Sequence, residues 1–549
     1  MPVLAIKPLL PLQADPASRP SRAHGLLLFA TWLLLLANAL SLAISQPGPL
    51  PYSGDQINIL SICQILDHPD RWRQDMLGAD PASLEYYAPL YVGALRWLAV
   101  PIGGYLPLHR TLLGLLILVY FWGWYHLFRR WLPTPSALIM AWLVKGVLWP
   151  AGNELWGIAG VWTLIPRTVY FAALPWLLLP ALKGGLRGFL ATALGLGALA
   201  QIHPISALSG GALFATLVAA APRTFHGLSL RQRLLVLATL VLALAPYVLL
   251  YVRTVMTAKG FDQNAFSIAI YERIPELFFH PGLYMLRWAR PQWALFLLGP
   301  FLLWPFFGRR MPPLQQKTFA VAALGILASF ALATLPFLAE ALLARLGVNA
   351  HFAFQLVRNG KWAIPFAFLH WALLLGHCLT QVPRWVGPLL AILLPLLALA
   401  SSRGLGAGWP LLGDDLLRMQ WPVSLQTKEE SQLHDALVWA EQHSPGDSLW
   451  VGPRQLRVYP GRQVLFDMAG AGLLIEGNPR LFLQAVQRKQ LLRRQGTLAE
   501  KLDLLTTWGA HYALVSASPG ASPGRHQLLY ANPGWQIFSL RPILGDGRP

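Results

Sequence analysis

The chain has 549 residues, of which 55% are hydrophobic and 12% charged, with a formal net charge of +19 and a mean hydropathy of +0.47. Soluble domains carry about a quarter charged residues, so the composition excludes an ordinary soluble globular protein. The long apolar runs exclude a β-barrel, whose strands are short and alternating. The basic excess needs no nucleic acid, because much of it falls in short loops between apolar runs, as the positive-inside rule predicts. The two cysteines, Cys63 and Cys378, make neither a metal spacing nor an evident disulfide framework.

In chain order, residues 1–24 are polar and Pro-rich, with Lys7, Arg19 and Arg22, and read as a cytoplasmic N-terminal tail. The apolar run 25–45 is longer than the core of a cleaved signal and reads as a signal anchor, with a cut near Ala43–Ser45 as the alternative. Residues 46–103 form the acidic exception in a basic chain: Asp55, Asp67, Asp70, Asp75, Asp80 and Glu85 stand there against few arginines. Pro89–Val100 closes this loop as a short amphipathic interfacial helix.

Further apolar runs follow near 104–128, 134–150, 157–182, 188–202, 204–221, 231–252, 291–307, 317–339, 362–380 and 384–400. With the first run they predict about eleven crossings of a hydrocarbon core about 30 Å thick. Arg129–Arg130, Lys183, Arg187, Arg231, Arg309–Arg310 and Arg384 all fall on one side of this count, which the positive-inside rule makes the cytoplasm. The acidic loop then lies outside. Together these runs define a transmembrane domain over 25–402. From about Arg403 the chain turns polar and mixed. It shows β-like runs at Ser448–Val451, Val464–Phe466, Tyr512–Val515 and Gln536–Leu540 and helical patterns near 429–443 and 479–506. This alternation predicts a small extracytoplasmic α/β domain over 403–549.

The expected fold class is therefore an α-helical polytopic membrane protein with a small C-terminal α/β domain, placed in a bacterial inner membrane with the N-terminus cytoplasmic and the C-terminus outside. An ionisable group at the outer end of a span is a functional candidate by default.

Asp55 follows Ser53–Gly54 near the membrane surface, where a carboxylate can act as general base on an acceptor hydroxyl or amine. The competing reading is a solvated loop residue or a helix cap. Asp67, Asp70 and Asp75 offer oxygen ligands to a divalent cation, although their spacing matches no named metal loop and turn or capping roles compete. Glu85 and Tyr86 precede the interfacial helix, where the tyrosine either stacks on a sugar or belongs to an aromatic belt. Glu154 and His203 sit at outer ends of spans, with a turn histidine bonded to backbone as the alternative for His203, and Arg167 interrupts an apolar run. Arg358 and Lys361, in FQLVRNGKW, form a basic cluster on the outer side, against the positive-inside trend. A lipid-linked phosphate would account for them, since Arg grips phosphate bidentately and Lys adds a point charge; contact with anionic lipid or with a loop carboxylate competes. His351 and Gln355 are near enough in sequence to share that site.

An acidic first outer loop with an Asp soon after the first span, many spans and a terminal outer α/β domain resemble the GT-C glycosyltransferase superfamily, which includes protein mannosyltransferases and aminoarabinose transferases. The resemblance rests on SGDQ at 53–56, HPD at 68–70 and RNGK at 358–361, and on Ala440–Phe466, which is similar to the tails of bacterial members. It implies transfer of a sugar, with inversion, from a polyprenyl-phosphate donor at the outer face, and a catalytic role for Asp55. The chain departs from the family pattern in lacking an Asp-Glu or Asp-x-Asp pair at that point, because Gln56 follows Asp55; a divalent cation is thus left as an open possibility. A non-enzymatic transporter, flippase or scaffold, kept alive by Lys145 and Arg167, and a degenerate member that binds lipid-linked sugar are the alternatives.

Overall fold

The computed structural model describes residues 25, 28–29, 32–33, 54–130, 134–143, 164–220, 227–256, 260–273, 291–346, 356–381, 428–518, 520 and 522–540. In chain order the helices are α1 (Gly54–Asp67), α2 (Pro89–Ile102), α3 (Tyr105–Phe128), α4 (Thr134–Leu143), α5 (Pro166–Lys183), α6 (Gly185–Ala200), α7 (Pro204–Ala220), α8 (Leu230–Met256), α9 (Gln263–Arg273), α10 (Pro291–Phe307), α11 (Pro313–Arg345), α12 (Ala363–Gln381), α13 (Lys428–His443), α14 (Pro479–Arg494) and α15 (Leu498–Thr507). The strands are β1 (Leu449–Val451), β2 (Gln463–Val464), β3 (Tyr512–Ser516), β4 (Gln527–Ala531) and β5 (Trp535–Ser539).

The apolar runs read from sequence become helices wherever the chain is described. Among the described residues, three stretches are long and apolar enough to cross a membrane, namely Pro107–Phe128, Leu230–Thr254 and Gln315–Leu343, and the shorter apolar helices include Gly185–Ala200 and Pro204–Ala220. The expected span at 384–400 and most of 25–45 lie outside the described residues.

The chain divides into two compact units. The first comprises Met1–Ile44, His109–Val248 and Ile274–Met419, and the second Ser45–Leu108, Leu249–Arg273 and Gln420–Pro549. The acidic loop and the C-terminal α/β segment thus belong to one unit, a grouping that their separation in sequence hides.

The first unit is a helix assembly. Gly184, at φ 79°, ends α5 and lets α6 turn back against it. Thr192 of α6 donates to the Leu177 carbonyl of α5 at 2.6 Å. A Cβ at Gly188 would meet the Pro180 carbonyl carbon at 2.8 Å, so the close approach requires glycine there. His370 of α12 meets the Phe319 carbonyl of α11 through Nε2 at 2.8 Å, and the two rings stack at 3.9 Å.

The second unit is built on a five-stranded sheet, ordered β2-β1-β3-β5-β4. β1 pairs parallel with β2 and β3, and β5 pairs antiparallel with β3 and β4. Side chains alternate across it with the period of two that a strand imposes. Trp450, Val464, Leu514 and Ile537 face one way, against Leu433, Ala436, Leu437 and Ala440 of α13. Leu449, Val451, Ala513 and Phe538 face the other, against Leu502 and Leu505 of α15. The helical pattern read over 479–506 is two helices, because the chain is extended from Gln495 and a capping box of Thr497 and Glu500 starts α15. β4 was not among the strands expected from sequence.

The edge of β2 is closed by the acidic loop. Met76 N–H donates to the Val464 carbonyl at 3.1 Å, Val464 N–H donates to Asp75 Oδ2 at 2.6 Å, and Gln74 N–H donates to Gln463 Oε1 at 2.8 Å. An exposed strand edge is a template for unwanted pairing; here a segment encoded nearly four hundred residues earlier covers it.

Candidate functional site

Asp55 stands in the first turn of α1, where the helix macrodipole favours a carboxylate. It is exposed, while the residues from Gln56 to Cys63 are buried. The helix is thus seated on nearly all sides and holds this carboxylate at its outer end. Burial pushes the Cys63 thiol up to about 12, with Asp67 adding to the shift, so this free cysteine stays protonated and is no nucleophile at neutral pH.

Asp67, the last residue of α1, gathers three helices. It accepts from Arg96 Nε of α2 at 2.6 Å and from the hydroxyl of Tyr105, the first residue of α3. Arg96 also donates to the Leu66 carbonyl at 3.0 Å. The hydrogen bond to Asp67 raises the guanidinium's pKa against a smaller loss from burial.

Asp70 pairs with Arg73 at 2.5 Å on the surface, and such exposed pairs contribute little. Asp75 is fully buried and accepts from Arg457 Nε at 2.8 Å. It also caps the Leu77 N–H at 2.8 Å. Asp80 accepts from Asn478 Nδ2 at 2.8 Å. Glu85 is exposed at the end of the short 3-10 helix Pro81–Leu84. Tyr86 is buried, and its hydroxyl donates to the Leu473 carbonyl at 3.0 Å.

Asp75, Asp80 and Tyr86 of the acidic loop therefore bind the chain's own tail. Asp67, Asp70 and Asp75, the carboxylates considered for a cation, have Arg96, Arg73 and Arg457 as partners. Among the described residues no group of three or more His, Cys, Asp or Glu side chains could hold a metal.

In the first unit the basic segment forms a 3-10 helix, Val357–Trp362, carrying Arg358 and Lys361. Neighbours fix it twice. Asn359 Nδ2 donates to the Leu332 carbonyl of α11 at 3.1 Å, and Trp362 Nε1 donates to Ser209 Oγ of α7 at 3.0 Å. Trp362 also forms part of the wall of a cavity of about 150 Å³, together with Trp124, Tyr170, Leu174, Phe214 and Ala322. The wall is almost wholly apolar. Tyr170 packs edge-on against Trp362, with ring centroids 5.7 Å apart. Gly210 admits this contact, since a Cβ there would lie 2.5 Å from the Tyr170 hydroxyl and 2.9 Å from the Trp362 ring.

His203 lies in the turn between α6 and α7, where its Nδ1 accepts from the Ser206 N–H at 3.2 Å and its ring lies 6.4 Å from that of Tyr170. Arg167 is in the first turn of α5. Glu154, His351, Gln355 and Lys145 lie outside the described residues. The structure thus brings Trp362, at the end of the basic segment, together with Tyr170 and a cavity that sequence reading had not foreseen. The available signal was a tryptophan directly after RNGK and the hydroxyl of Ser209 within an apolar helix.

No family model and no curated protein matches the chain. Among solved structures it is similar to ArnT from Cupriavidus metallidurans bound to undecaprenyl phosphate, at 13% identity and a TM-score of 0.44, over 96% of this chain and 100% of that one. It is also similar to the archaeal oligosaccharyltransferase AglB from Archaeoglobus fulgidus in complex with an inhibitory peptide and a dolichol-phosphate, at 14% identity and a TM-score of 0.42, over 89% of this chain and 69% of that one. At these TM-scores neither likeness assigns a reaction or a residue's role here.

Proposed function

We propose that the protein is an integral membrane transferase of the GT-C type, which moves a sugar from a polyprenyl-phosphate donor to an acceptor at the outer face of a bacterial plasma membrane. The observation that carries this reading lies within the first unit: Trp362 both ends the anchored basic helix and walls the apolar cavity. A polyprenyl phosphate has the same two-part chemistry, a hydrocarbon chain and an anionic head. Leu174, Phe214 and Ala322 offer apolar surface to the chain, and Arg358 and Lys361 are assigned to the phosphate.

In the reaction Asp55 takes the proton from the acceptor hydroxyl or amine. The acceptor atom attacks the anomeric carbon, the bond from that carbon to the phosphate oxygen breaks, and the polyprenyl phosphate leaves with the electron pair and the added charge. Attack opposite the leaving group inverts the anomeric centre. Stabilising the leaving phosphate is the largest electrostatic contribution expected. His203, beside Tyr170, is assigned to the donor pocket, and Glu85, Tyr86 and Asp70 remain candidates on the acceptor side, as do Glu154 and His351.

The test is transfer from radiolabelled polyprenyl-phosphate sugars by the purified protein, with and without divalent cation and with Asp55→Asn alongside. Turnover lost in the variant at unchanged protein yield supports the reading. Wild-type turnover in Asp55→Asn removes Asp55 from the mechanism. Failure of every donor to bind overturns the transferase reading and favours a transport or scaffold role.

A further inference from the structure

Nearly all buried polar atoms in a folded chain have a hydrogen-bond partner, and one that has none calls for a ligand or an internal water. Two such atoms belong to side chains grouped about Trp362 in the first unit: Asn359 Oδ1 and the Tyr170 hydroxyl. Asn359 is 3% exposed and Tyr170 0%.

Neighbours fix both side chains. In the 3-10 helix Val357–Trp362, side chains three residues apart eclipse, so Asn359 and Trp362 share one side of it. The Leu332 carbonyl can only accept, so the Asn359 amide turns its nitrogen to α11 and leaves Oδ1 over. Trp362 Nε1 is committed to Ser209 Oγ, which itself donates to the Ser206 carbonyl at 3.2 Å. Tyr170 packs edge-on against the Trp362 ring, and Gly210 lies close to both that ring and the Tyr170 hydroxyl. Tyr170, Gly210 and Trp362 all line the apolar cavity.

The two atoms differ in what they lack. Asn359 Oδ1 can only accept, and the Tyr170 hydroxyl has a proton to give. A hydrocarbon chain satisfies neither. An ionised phosphate accepts but cannot donate to Asn359. A hydroxyl does both, giving its proton to Asn359 and accepting that of Tyr170. In the donor of the proposed reaction the hydroxyls are on the sugar, whose anomeric carbon is bonded to the phosphate oxygen. That phosphate is assigned to Arg358 and Lys361, on either side of Asn359 in the same 3-10 helix.

We infer that Asn359 and Tyr170 recognise the sugar of the donor through a ring hydroxyl. The inference rests on the transferase reading and adds to it the residues that tell a sugar-bearing lipid from the bare carrier. A site built to pair with a hydroxyl rejects a ligand that lacks one, because its own polar groups then stay unpaired.

The test is equilibrium binding to the full-length protein in detergent micelles. The probes are bare polyprenyl phosphate and the polyprenyl phosphates of mannose, glucose and aminoarabinose, with Tyr170→Phe and Asn359→Leu beside the wild type. Each variant should weaken every sugar-bearing lipid that the wild type binds by about tenfold, and the bare carrier by less than about twofold. Tyr170→Phe removes only an atom without a partner, so without ligand it should unfold at the same or a higher temperature. Asn359→Leu also gives up the bond to Leu332, and Tyr170→Phe decides where that variant fails to fold. A lower unfolding temperature for Tyr170→Phe would make its hydroxyl structural and overturn the inference. Equal losses for bare and sugar-bearing lipids, or no loss, would leave the two atoms to packing or an internal water; sugar recognition is then refuted while the transferase reading stands. If no sugar-bearing lipid binds the wild type, the transferase reading falls and this inference with it.

Discussion

Arg457 donates to Asp75 at 2.8 Å, both side chains are fully buried, and 382 residues of chain separate them. The same guanidinium donates through its other arm to Asp467 at 2.7 Å. Burial alone would lower its pKa, but the two carboxylates outweigh that and raise it. A buried ion group of this kind is weak evidence of net stabilisation, yet removing one member strands the others.

Arg457→Met should therefore destabilise the second unit by about 3–5 kcal/mol, because two carboxylates stay buried without their partner. Combining it with Asp75→Asn should cost less than the sum of the two single changes. Denaturant unfolding of the four variants of this cycle, followed by a fluorophore placed in the second unit, measures the coupling; strict additivity would mean that the pair does not interact.

Acid should act through Asp467. Burial pushes its carboxyl up, but Arg457 and the N–H groups of Gly470 and Ala469 outweigh this and hold it below the ordinary value. A depressed folded pKa gives a contribution that is fully present above the unfolded carboxylate pKa and lost as pH falls through the folded one. Thermal unfolding should thus be unaffected by this group at neutral pH and weaken only in acid below the usual carboxylate range. Asp467→Asn should flatten that part of the profile.

The contact between loop and tail at Gly477 leaves no space for a side chain. A Cβ there would collide with the Ser83 carbonyl and approach the Tyr86 ring to 2.8 Å. Gly477→Ala should cost about 1–3 kcal/mol, as overpacking does. It should also raise protease sensitivity of the 81–88 segment, which limited proteolysis with mass mapping would reveal.

The cavity in the first unit can be filled from its wall. Ala322 is fully buried and lines it. Ala322→Leu should weaken binding of long-chain polyprenyl phosphates more than that of a short-chain analogue with the same head. Equal affinity changes for both chain lengths would separate the cavity from the donor's hydrocarbon.

The helices were legible because apolar runs of membrane length have little else to become, and α3, α7 and α10 fall almost where the runs do. β4 was not, since Gln527–Ala531 is a short exposed edge strand paired on one side only, with a pattern set by β5 rather than by burial. The acidic loop was legible as an exception in charge but not in purpose. Asp75 looked like a candidate ligand because its partner lies 382 residues away, and a one-dimensional reading shows no contact at that distance. Arg457 gives no clue either, since it stands with Arg454 and Arg462 in the polar stretch between two β-like runs. Tyr86 stood between sugar stacking and an aromatic belt, and nothing in the sequence signalled that its hydroxyl donates to the Leu473 carbonyl.

The closure of the β2 edge by residues 74–76 has a consequence in time. The strand and its cover are made at opposite ends of synthesis, with Asp75 emerging 382 residues before Arg457. At about 5–20 residues per second the carboxylate waits roughly 20–75 s for its partner. The loop that carries Asp55 is thus among the first parts of the chain to leave the ribosome and among the last to take its final shape, so a chain cut short before Arg457 leaves Asp75 without the partner that buries it.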